Sequence, residues 1–352
     1  MLRILLWPIS LLYGLVTQVR NFLFDHQILK SKEFNIPVIS VGNITVGGTG
    51  KTPHVEYLVK LLKNENNLAV LSRGYKRKTK GFYIAGDEPK PNEIGDEPCQ
   101  IKRKFPEITV AVDANRKRGI QKLIEQGIQS VILDDAFQHR YVKPGLSILL
   151  VDFNRNINED HLLPCGRLRE HVSAKDRADI MIISKTPPNI KPIDRRLIHK
   201  NLYPRPYQTV YFTGLKYGNI KAVFKEAVNN ISLQDLKNGS IVLFTGIAHT
   251  KQLLEYLNRF CRNIIHLNYP DHANYNLNRI NKIINTFNNI KNTNKIILTT
   301  EKDAVKVREL AIEDNIFKQK LFFLPIEVFF IDEEKDFNNQ IIDYVRKNKG
   351  NR

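Results

Sequence analysis

Cysteine is scarce in this chain of 352 residues, which contains only Cys99, Cys165 and Cys261. The three lie far apart and without the spacing of metal ligands. An odd, low count of this kind is typical of a reducing cytosol and argues against a disulfide framework. The chain also lacks an uninterrupted apolar run of ~18 residues, so the sequence predicts no transmembrane helix. We find no internal repeat.

Acidic residues are also in short supply, with 36 Asp and Glu against 54 Lys and Arg and a net charge of +18. That surplus favours an anionic partner, which is a nucleic acid, a phosphorylated ligand or an anionic membrane surface. A generally basic proteome would give the same balance. The sequence contains no recognition helix and no aromatic ribonucleoprotein-type motif, so we predict no nucleic-acid partner.

The first 30 residues form a segment of unusual composition. Residues 4–16 are almost wholly apolar, but Pro8, Ser10 and Gly14 interrupt them. The run is too short to span a bilayer and lacks the small-residue cleavage site of a secretory signal. Basic and aromatic residues beside an apolar face are typical of a helix lying in the membrane interface. We therefore predict that residues 1–30 associate with a membrane, while a helix packed on the domain core remains the alternative.

The chain is organised around residues 36–55. An apolar, β-branched run at 36–41 predicts a buried strand, and the apolar spacing from 55 onward predicts a helix. The glycine-rich turn between them is typical of a phosphate-binding loop, in which backbone N–H groups and the helix N-terminus bind phosphate oxygens. Lys51 would reach the β- and γ-phosphates and Thr52 would hold Mg²⁺. The usual pattern has a glycine where this chain has Thr45. The predicted nucleotide-binding residues are Gly47, Gly48, Thr49, Gly50, Lys51 and Thr52.

Strand and helix patterns alternate along the first half of the chain. This alternation predicts an α/β fold with a P-loop NTPase-like, mostly parallel sheet flanked by helices. Ligands in such sheets bind beyond the carboxyl ends of the strands. The predicted strands are 36–41, 68–72, 108–112, 130–133, 146–151 and 179–183.

From about residue 186 the composition changes to a proline-punctuated, basic connector. Segments 208–213 and 219–224 are predicted to form a two-stranded linker. A second, smaller αβ set follows, with strands near 241–245, 264–268, 295–299 and 321–330 and a charged, helical tail from 333. The predicted domains are the P-loop core at 31–204, the β linker at 205–225 and a C-terminal α/β domain at 226–352.

Several polar motifs could carry chemistry. Asp134 and Asp135 end an apolar strand, where P-loop proteins place the acid that organises Mg²⁺, although helix capping is an alternative. Asp96 precedes an apparent helix, and from sequence alone a helix N-cap is the favoured interpretation. The same Gly-Asp-Glu-Pro tetrapeptide occurs at 86–89, within a predicted hairpin at 82–94. A surface turn is the default interpretation of Asp271-His272, and a solvated charge cluster that of residues 300–303.

Eight short motifs occur in a fixed order along the chain. They are Val41-Gly42-Asn43, Gly47 to Pro53, Ser72-Arg73-Gly74-Tyr75, Gly95-Asp96-Glu97-Pro98, Asp134-Asp135-x-Phe137-Gln138-His139, Leu163-Pro164-x-Gly166-Arg167-Leu168-Arg169-Glu170, Asp271-His272 and Thr300 to Lys306. Together and in this order, these motifs closely resemble the tetraacyldisaccharide 4'-kinase (lipid A 4'-kinase) family. Three small departures are Ala136 where the family often has Gly, Cys165 where it often has Ala, and Ala273 where an aromatic residue is common.

The resemblance implies ATP- and Mg²⁺-dependent phosphorylation of the 4'-hydroxyl of an acylated disaccharide 1-phosphate lipid. It implies a peripheral enzyme on the cytoplasmic face of the bacterial inner membrane, bound to an anionic membrane surface. It also implies a catalytic Asp–His dyad at Asp96 and His272, which makes Asp96 a base rather than a cap. Asp134 and Asp135 would lie at the metal, and Glu170 is a weaker candidate there.

The residues alone leave two other functions open. A regulatory or partitioning-type P-loop ATPase would share the phosphate loop and the amphipathic end, but would not need Asp96 and His272. ADP release with and without acylated disaccharide would distinguish it. A nucleic-acid-binding ATPase rests only on the net charge.

Overall fold

The computed structural model describes residues 6–227, 231–248, 250–271 and 273–348, and its chain divides into two compact units. The first unit comprises the chain up to Leu215 together with the residues from Val328 onward. The second unit is the intervening segment, Lys216–Glu327.

The first unit is built on a nine-stranded sheet. The strands are β1 (Val38–Gly42), β2 (Leu68–Ser72), β3 (Tyr83–Ile84), β4 (Thr109–Val112), β5 (Ser130–Asp134), β6 (Leu146–Asp152), β7 (Ile180–Ser184), β8 (Thr209–Tyr217) and, after the second unit, β14 (Ile326–Phe330). Their order in the sheet is β14-β8-β7-β6-β1-β5-β2-β4-β3. The six pairings from β8 across to β4 are parallel, and β3 pairs antiparallel with β4 at one edge.

Helices surround this sheet, and a 3₁₀ helix at Val172–Arg177 precedes β7. Every residue of the central strands β1, β2, β5, β6 and β7 is buried, as expected for a parallel sheet covered on both faces. The helices are α1 (Trp7–Asp25), α2 (Lys51–Leu62), α3 (Pro91–Ile94), α4 (Asp96–Lys104), α5 (Arg116–Glu125), α6 (Pro192–Leu202) and α11 (Glu334–Lys347).

The second unit contains a five-stranded sheet. The strands are β9 (Lys221–Ala222), β10 (Ser240–Thr245), β11 (Asn263–Asn268), β12 (Lys295–Thr300) and β13 (Leu321–Leu324). Their order is β11-β10-β12-β13-β9, and the pairings are parallel except for that of β9 with β13. A 3₁₀ helix at Leu233–Leu236 precedes β10. The helices are α7 (Lys251–Leu257), α8 (Leu277–Asn288), α9 (Glu301–Val307) and α10 (Asn315–Lys320).

The C-terminal helix α11 lies in the first unit, whereas the sequence placed it in the second domain. Its apolar residues Phe337, Ile341 and Val345 are buried. The ring of Phe337 meets the ring of Tyr211 in β8 at 5.2 Å between centroids. The hydroxyl of Tyr344 contacts the backbone of Val38 at the start of β1. Burial of this apolar face against the large sheet fixes the helix there.

Two other sequence-based details differ in the structure. The chain passes between the units within β8 and within β14, which neighbour each other in the large sheet. These two strands form the two-stranded connection, whereas residues 221–222 of the predicted linker pair with β13 instead. Residues 82–94 do not form a hairpin, because β3 pairs with β4 and residues 91–94 are helical.

Candidate active site

The phosphate loop connects β1 to α2, as the sequence predicts. Helix α2 starts at Lys51, with Gly50 at its cap in a left-handed conformation (φ 85°) that disfavours any residue with a Cβ. Asn43 Nδ2 donates a hydrogen bond of 2.8 Å to Thr49 Oγ1, and Ser184 Oγ donates one of 2.8 Å to the Thr49 carbonyl. The first turn of α2 contains no acidic residue, so its positive end suits an anion.

The acid pair lies beside this loop because β5 is the parallel neighbour of β1. The register places Asp134 opposite Val41, one residue before β1 ends. Lys51 Nζ lies 3.6 Å from Asp135 Oδ1. Arg169 Nη1 lies 3.0 Å from the same oxygen. Within the first unit, Lys51 therefore lies beside Asp135, the second of the two acids.

The two acids differ sharply in their protonation behaviour. Burial, followed by the charges of Asp135 and Glu97, raises the pKa of Asp134 to about 7, although Ser72 Oγ donates to it at 3.2 Å. Burial also opposes the ionisation of Asp135, but Lys51 and Arg169 outweigh it and hold its pKa below the usual value. Adjacent acids with separated pKa values are typical of functional sites.

The donor set suits Mg²⁺ better than a metal that needs a full protein cage. Among the described residues, no three His, Cys, Asp or Glu side chains come together as a metal cluster. Mg²⁺ is usually held by one or two carboxylates, with water and substrate phosphates completing its shell. Asp134, Asp135 and the hydroxyl of Thr52 at the start of α2 supply such oxygens.

Glu170 is buried but already engaged with protein groups. Arg177 Nη1 lies 2.7 Å from its Oε2, and Asn21 Nδ2 donates to that oxygen at 3.1 Å. Its Oε1 is buried without a hydrogen-bond partner in the structure. A metal-side role for Glu170 therefore stays a prediction, and its contacts with Arg177 and Asn21 are what the geometry adds.

Asp96 is the first residue of α4, and Gly95 rather than Asp96 takes the capping position. At Gly95 (φ 95°) an added Cβ would lie 3.0 Å from the Tyr75 carbonyl, so this turn packs closely on the loop after β2. Helix α4 is also fixed to the phosphate-loop helix, because buried Glu56 accepts hydrogen bonds from Gln100 and Lys104. The duplicate tetrapeptide differs, since Gly86 and Asp87 are exposed.

In the second unit, His272 lies outside the described residues, but its two neighbours are described. Asp271 Oδ1 lies 3.9 Å from Lys302 Nζ, and Lys306 Nζ donates to the Ala273 carbonyl at 3.0 Å. Asp303 is fully buried and accepts a hydrogen bond from the Gly246 amide at 2.9 Å. Residues 300–303 are therefore not simply a solvated charge cluster, because Asp303 joins the ends of β10 and β12.

Three contacts in the site were not anticipated from the sequence. Arg169 binds Asp135, Ser72 binds Asp134, and the ring of buried His54 bridges the Gly50 carbonyl and Thr213 Oγ1 at 2.7 and 2.9 Å. Arg169 and Ser72 belong to motifs that were recognisable in the sequence, and these motifs could have indicated that both residues lie in the site. For His54 the sequence offered no such indication beyond its position in the phosphate-loop helix.

Comparisons with known proteins identify the family. A family model described as tetraacyldisaccharide-1-P 4'-kinase matches residues 2–346. The chain belongs to this family. A relative from Bacteroides thetaiotaomicron, named tetraacyldisaccharide 4'-kinase, is 47% identical over 98% of this chain and 94% of its own length. One of the same name from Flavobacterium johnsoniae is 41% identical over 99% of this chain and 98% of its own length.

A solved structure of the family supports the same conclusion. It is a crystal structure of LpxK from Aquifex aeolicus in complex with ATP, 29% identical to this chain. The match covers 99% of this chain and 100% of the other, with a TM-score of 0.75. Membership in the tetraacyldisaccharide-1-P 4'-kinase family confirms the predicted fold class, the kinase class and the predicted 4'-phosphorylation in lipid A synthesis.

The raised pKa of Asp134 predicts a stability gain when its charge is removed. A carboxyl whose folded pKa lies above the unfolded value of 3.8 stabilises the fold at low pH, and this contribution is lost as the pH rises from 3.8 to about 7. Without nucleotide or metal, the Asp134→Asn protein should therefore be more stable than the wild type at pH 8, with an upper bound of about 4 kcal/mol. Urea unfolding of both proteins at pH 8 and pH 5 measures the difference in the free energy of unfolding. This difference should be smaller at pH 5, and equal stability of the two proteins at pH 8 would contradict the prediction.

Proposed function

We propose that the protein transfers the γ-phosphoryl group of ATP to the 4'-hydroxyl of tetraacyldisaccharide 1-phosphate. The observation that carries this proposal is the phosphate loop of a tetraacyldisaccharide-1-P 4'-kinase family member, with Lys51 beside Asp135 at the end of β5. The backbone amides of residues 47–50 and the N-terminus of α2 would bind the phosphates of ATP. Lys51 would neutralise charge on the transferring group.

The metal partner in this proposal is Mg²⁺, held by Thr52 and by Asp134 or Asp135, with Glu170 as a weaker candidate. When bound, Mg²⁺ would supply charge neutralisation on the phosphates. The chain's own contribution is to present two neighbouring carboxylates with different proton affinities and to fix Asp135 between Lys51 and Arg169.

Asp96 is proposed as the base and His272 as the residue that orients or tunes it. The 4'-oxygen forms a bond to the γ-phosphorus, the bond to the β–γ bridging oxygen breaks, and the hydroxyl proton passes to the Asp96 carboxylate. The products are ADP and the 4'-phosphorylated lipid. Support for Asp96 comes from its helix, which is anchored on the phosphate-loop helix through Glu56.

Helix α1 supports the membrane part of the proposal. It packs on the first unit through small or polar residues such as Ser10, whose hydroxyl donates to the Leu162 carbonyl at 3.0 Å. Eight of its large apolar side chains are 48–63% exposed, whereas Phe24 near its C-terminal end is buried. An ordinary surface helix buries its apolar residues, but here the apolar face is largely exposed, with the ring of Trp7 beside that of His161 at 5.9 Å between centroids. We define the outer face of α1 as Trp7, Ile9, Leu11, Leu12, Leu15, Val16, Val19 and Phe22.

The proposed occupant of this outer face is an anionic membrane surface on the cytoplasmic side of the bacterial inner membrane. The acyl chains of the substrate lie in a bilayer, and the net charge of +18 complements anionic lipid. Within the described part of the chain, no helix combines the length and the apolar character needed to cross a membrane.

Making the outer face polar should release the protein from membranes. A double variant, Leu12→Gln with Leu15→Gln, removes two exposed leucines whose burial contributes roughly 1.5–3 kcal/mol each, so vesicle affinity should fall roughly 100-fold or more. The KM for lipid should rise and the KM for ATP should stay the same. Sedimentation with anionic phospholipid vesicles measures the binding. Leu197→Gln, at an exposed leucine in α6, is the control, and unchanged sedimentation of the double variant would make the outer face irrelevant to membranes.

The activity itself is tested with purified protein, labelled ATP and tetraacyldisaccharide 1-phosphate in detergent. Transfer of label to the lipid, at the position freed by a 4'-phosphatase, is the expected result. ATP hydrolysis that does not depend on the disaccharide, with no labelled lipid, would instead indicate a regulatory P-loop ATPase.

A further inference from the structure

The inner side of α1 carries polar side chains that contact the proposed catalytic region. The Tyr13 hydroxyl donates a hydrogen bond of 2.8 Å to the Arg169 carbonyl. Asn21 Nδ2 donates to Glu170 Oε2 at 3.1 Å. These residues lie two turns apart on one face of the helix, and they contact consecutive residues of the loop that precedes β7.

The Tyr13 contact leads directly to a group beside the phosphate loop. Arg169 binds Asp135, the partner of Lys51, at 3.0 Å. A third contact extends the pattern, because Arg20 Nη2 donates to the Gln138 carbonyl at 2.9 Å. The Gln138 side chain in turn donates to the Asn43 carbonyl at 2.8 Å, at the start of the phosphate loop.

The Glu170 contact is the most sensitive of these. Glu170 is only 2% exposed, and its Oε1 already lacks a hydrogen-bond partner in the structure. Within the part of the chain that the structure describes, loss of the Asn21 amide would leave Glu170 Oε2 with the Arg177 guanidinium, at 2.7 Å, as its partner. Because a buried carboxylate with too few partners is costly, Glu170 and Arg177 would then rearrange.

We propose that Tyr13 and Asn21 are positioning residues for phosphoryl transfer. From the inner face of α1 they fix the segment Arg169-Glu170, whose Arg169 side chain binds Asp135. The inference rests on the proposed function. It gives α1 a second role: its outer face meets lipid, while its inner face sets the geometry of the site. A helix that served only as an anchor would need no polar contacts to this loop.

The test compares three variants along one face of α1. Tyr13→Phe and Asn21→Leu each remove a hydrogen bond to the loop. Thr17→Val is the matched control, since Thr17 lies between them and its hydroxyl donates to the Gly14 carbonyl of the same helix at 3.0 Å. Turnover is measured in mixed detergent micelles at saturating lipid, so that membrane binding does not limit the rate. Vesicle sedimentation and thermal melting are measured in parallel.

We expect kcat to fall about tenfold for Tyr13→Phe and for Asn21→Leu, with KM for ATP and lipid changed less than about twofold. Vesicle binding should match that of the wild type, because the outer face is intact. Thr17→Val should keep full turnover. Wild-type kcat in both variants, or equal losses in the control, would overturn the inference.

A double-mutant cycle separates positioning from general destabilisation. If Tyr13 acts through Arg169, adding Tyr13→Phe to Arg169→Lys should cost little beyond the single Arg169→Lys change. If the loss of kcat in the double variant equals the product of the two single losses, Tyr13 does not act through Arg169. An inactive wild-type protein would instead contradict the proposed function, so the two failures are distinguishable.

Discussion

Replacing Lys51 with alanine should lower phosphoryl transfer by on the order of 10³-fold or more, by analogy with other lost transition-state donors. The ammonium group lies 3.6 Å from Asp135 and at the start of α2, where it would reach the transferring phosphates. Phosphoryl transfer depends on positioning and charge neutralisation rather than on covalent help from the protein. Steady-state turnover with labelled ATP and lipid measures the loss, and circular dichroism checks the fold.

Lys60→Ala is the matched control for this experiment. Lys60 lies on the same helix but near its C-terminal end, where its side chain is exposed. Its replacement should leave turnover near the wild-type value. Near-normal turnover in a folded Lys51→Ala protein would remove the basis for assigning this loop to phosphate binding.

Asp96→Asn should reduce kcat by roughly 10²–10⁴-fold while nucleotide binding changes little, because the amide keeps the shape but cannot accept the hydroxyl proton. Asp87→Asn is an unusually close control. It makes the same chemical change in a second copy of the same tetrapeptide. Asp87, however, is exposed and lies outside any helix, whereas Asp96 is the first residue of α4. Equal effects of the two substitutions would mean that Asp96 has no special role.

The partnership with His272 is tested by a second cycle. His272→Ala should also lower kcat more than nucleotide binding if His272 tunes Asp96. The double variant should then be less than additive, because paired groups fail together. Additive losses would show that the two residues act separately, and full activity of either single variant would exclude the dyad.

The phosphate loop and the acid pair were predictable from the sequence because both follow local rules. A buried β-branched run, a glycine turn and a helix pattern define the loop, and the carboxyl ends of parallel strands converge at one edge of a sheet. The register of β5 on β1 then brings Asp134 beside Val41. No long-range information was needed beyond the parallel arrangement.

The contact between Arg169 and Asp135 could not be predicted in the same way. The two residues are separated by 34 positions along the chain and by β6, and the loop that carries Arg169 has no regular periodicity. The position of α11 was hard to predict for a similar reason. The whole second unit lies between α11 and the rest of the first unit in the sequence, so the apolar face of this helix gave no indication of which sheet it covers.

The sequence left the orientation of α1 open between a helix at the membrane interface, which it predicted, and a helix packed on the domain core. Its sequence shows an apolar side and a polar side, but periodicity alone does not say which side faces the protein. The usual rule buries the apolar side. Here the hydrogen bonds of Ser10, Tyr13 and Asn21 fix the opposite arrangement.

This inverted helix decides how a water-soluble form of the enzyme should be engineered. Truncation of the N-terminus would remove the exposed apolar outer face of α1. It would also remove Tyr13 and Asn21, which donate hydrogen bonds to the Arg169 carbonyl and to Glu170. The alternative is to replace the residues of the outer face with glutamate, lysine and glutamine. If Ser10, Tyr13, Thr17 and Asn21 are kept, their hydrogen bonds are kept as well. We expect such a variant to be monodisperse without detergent. It should still phosphorylate short-chain analogues of the lipid that do not form micelles.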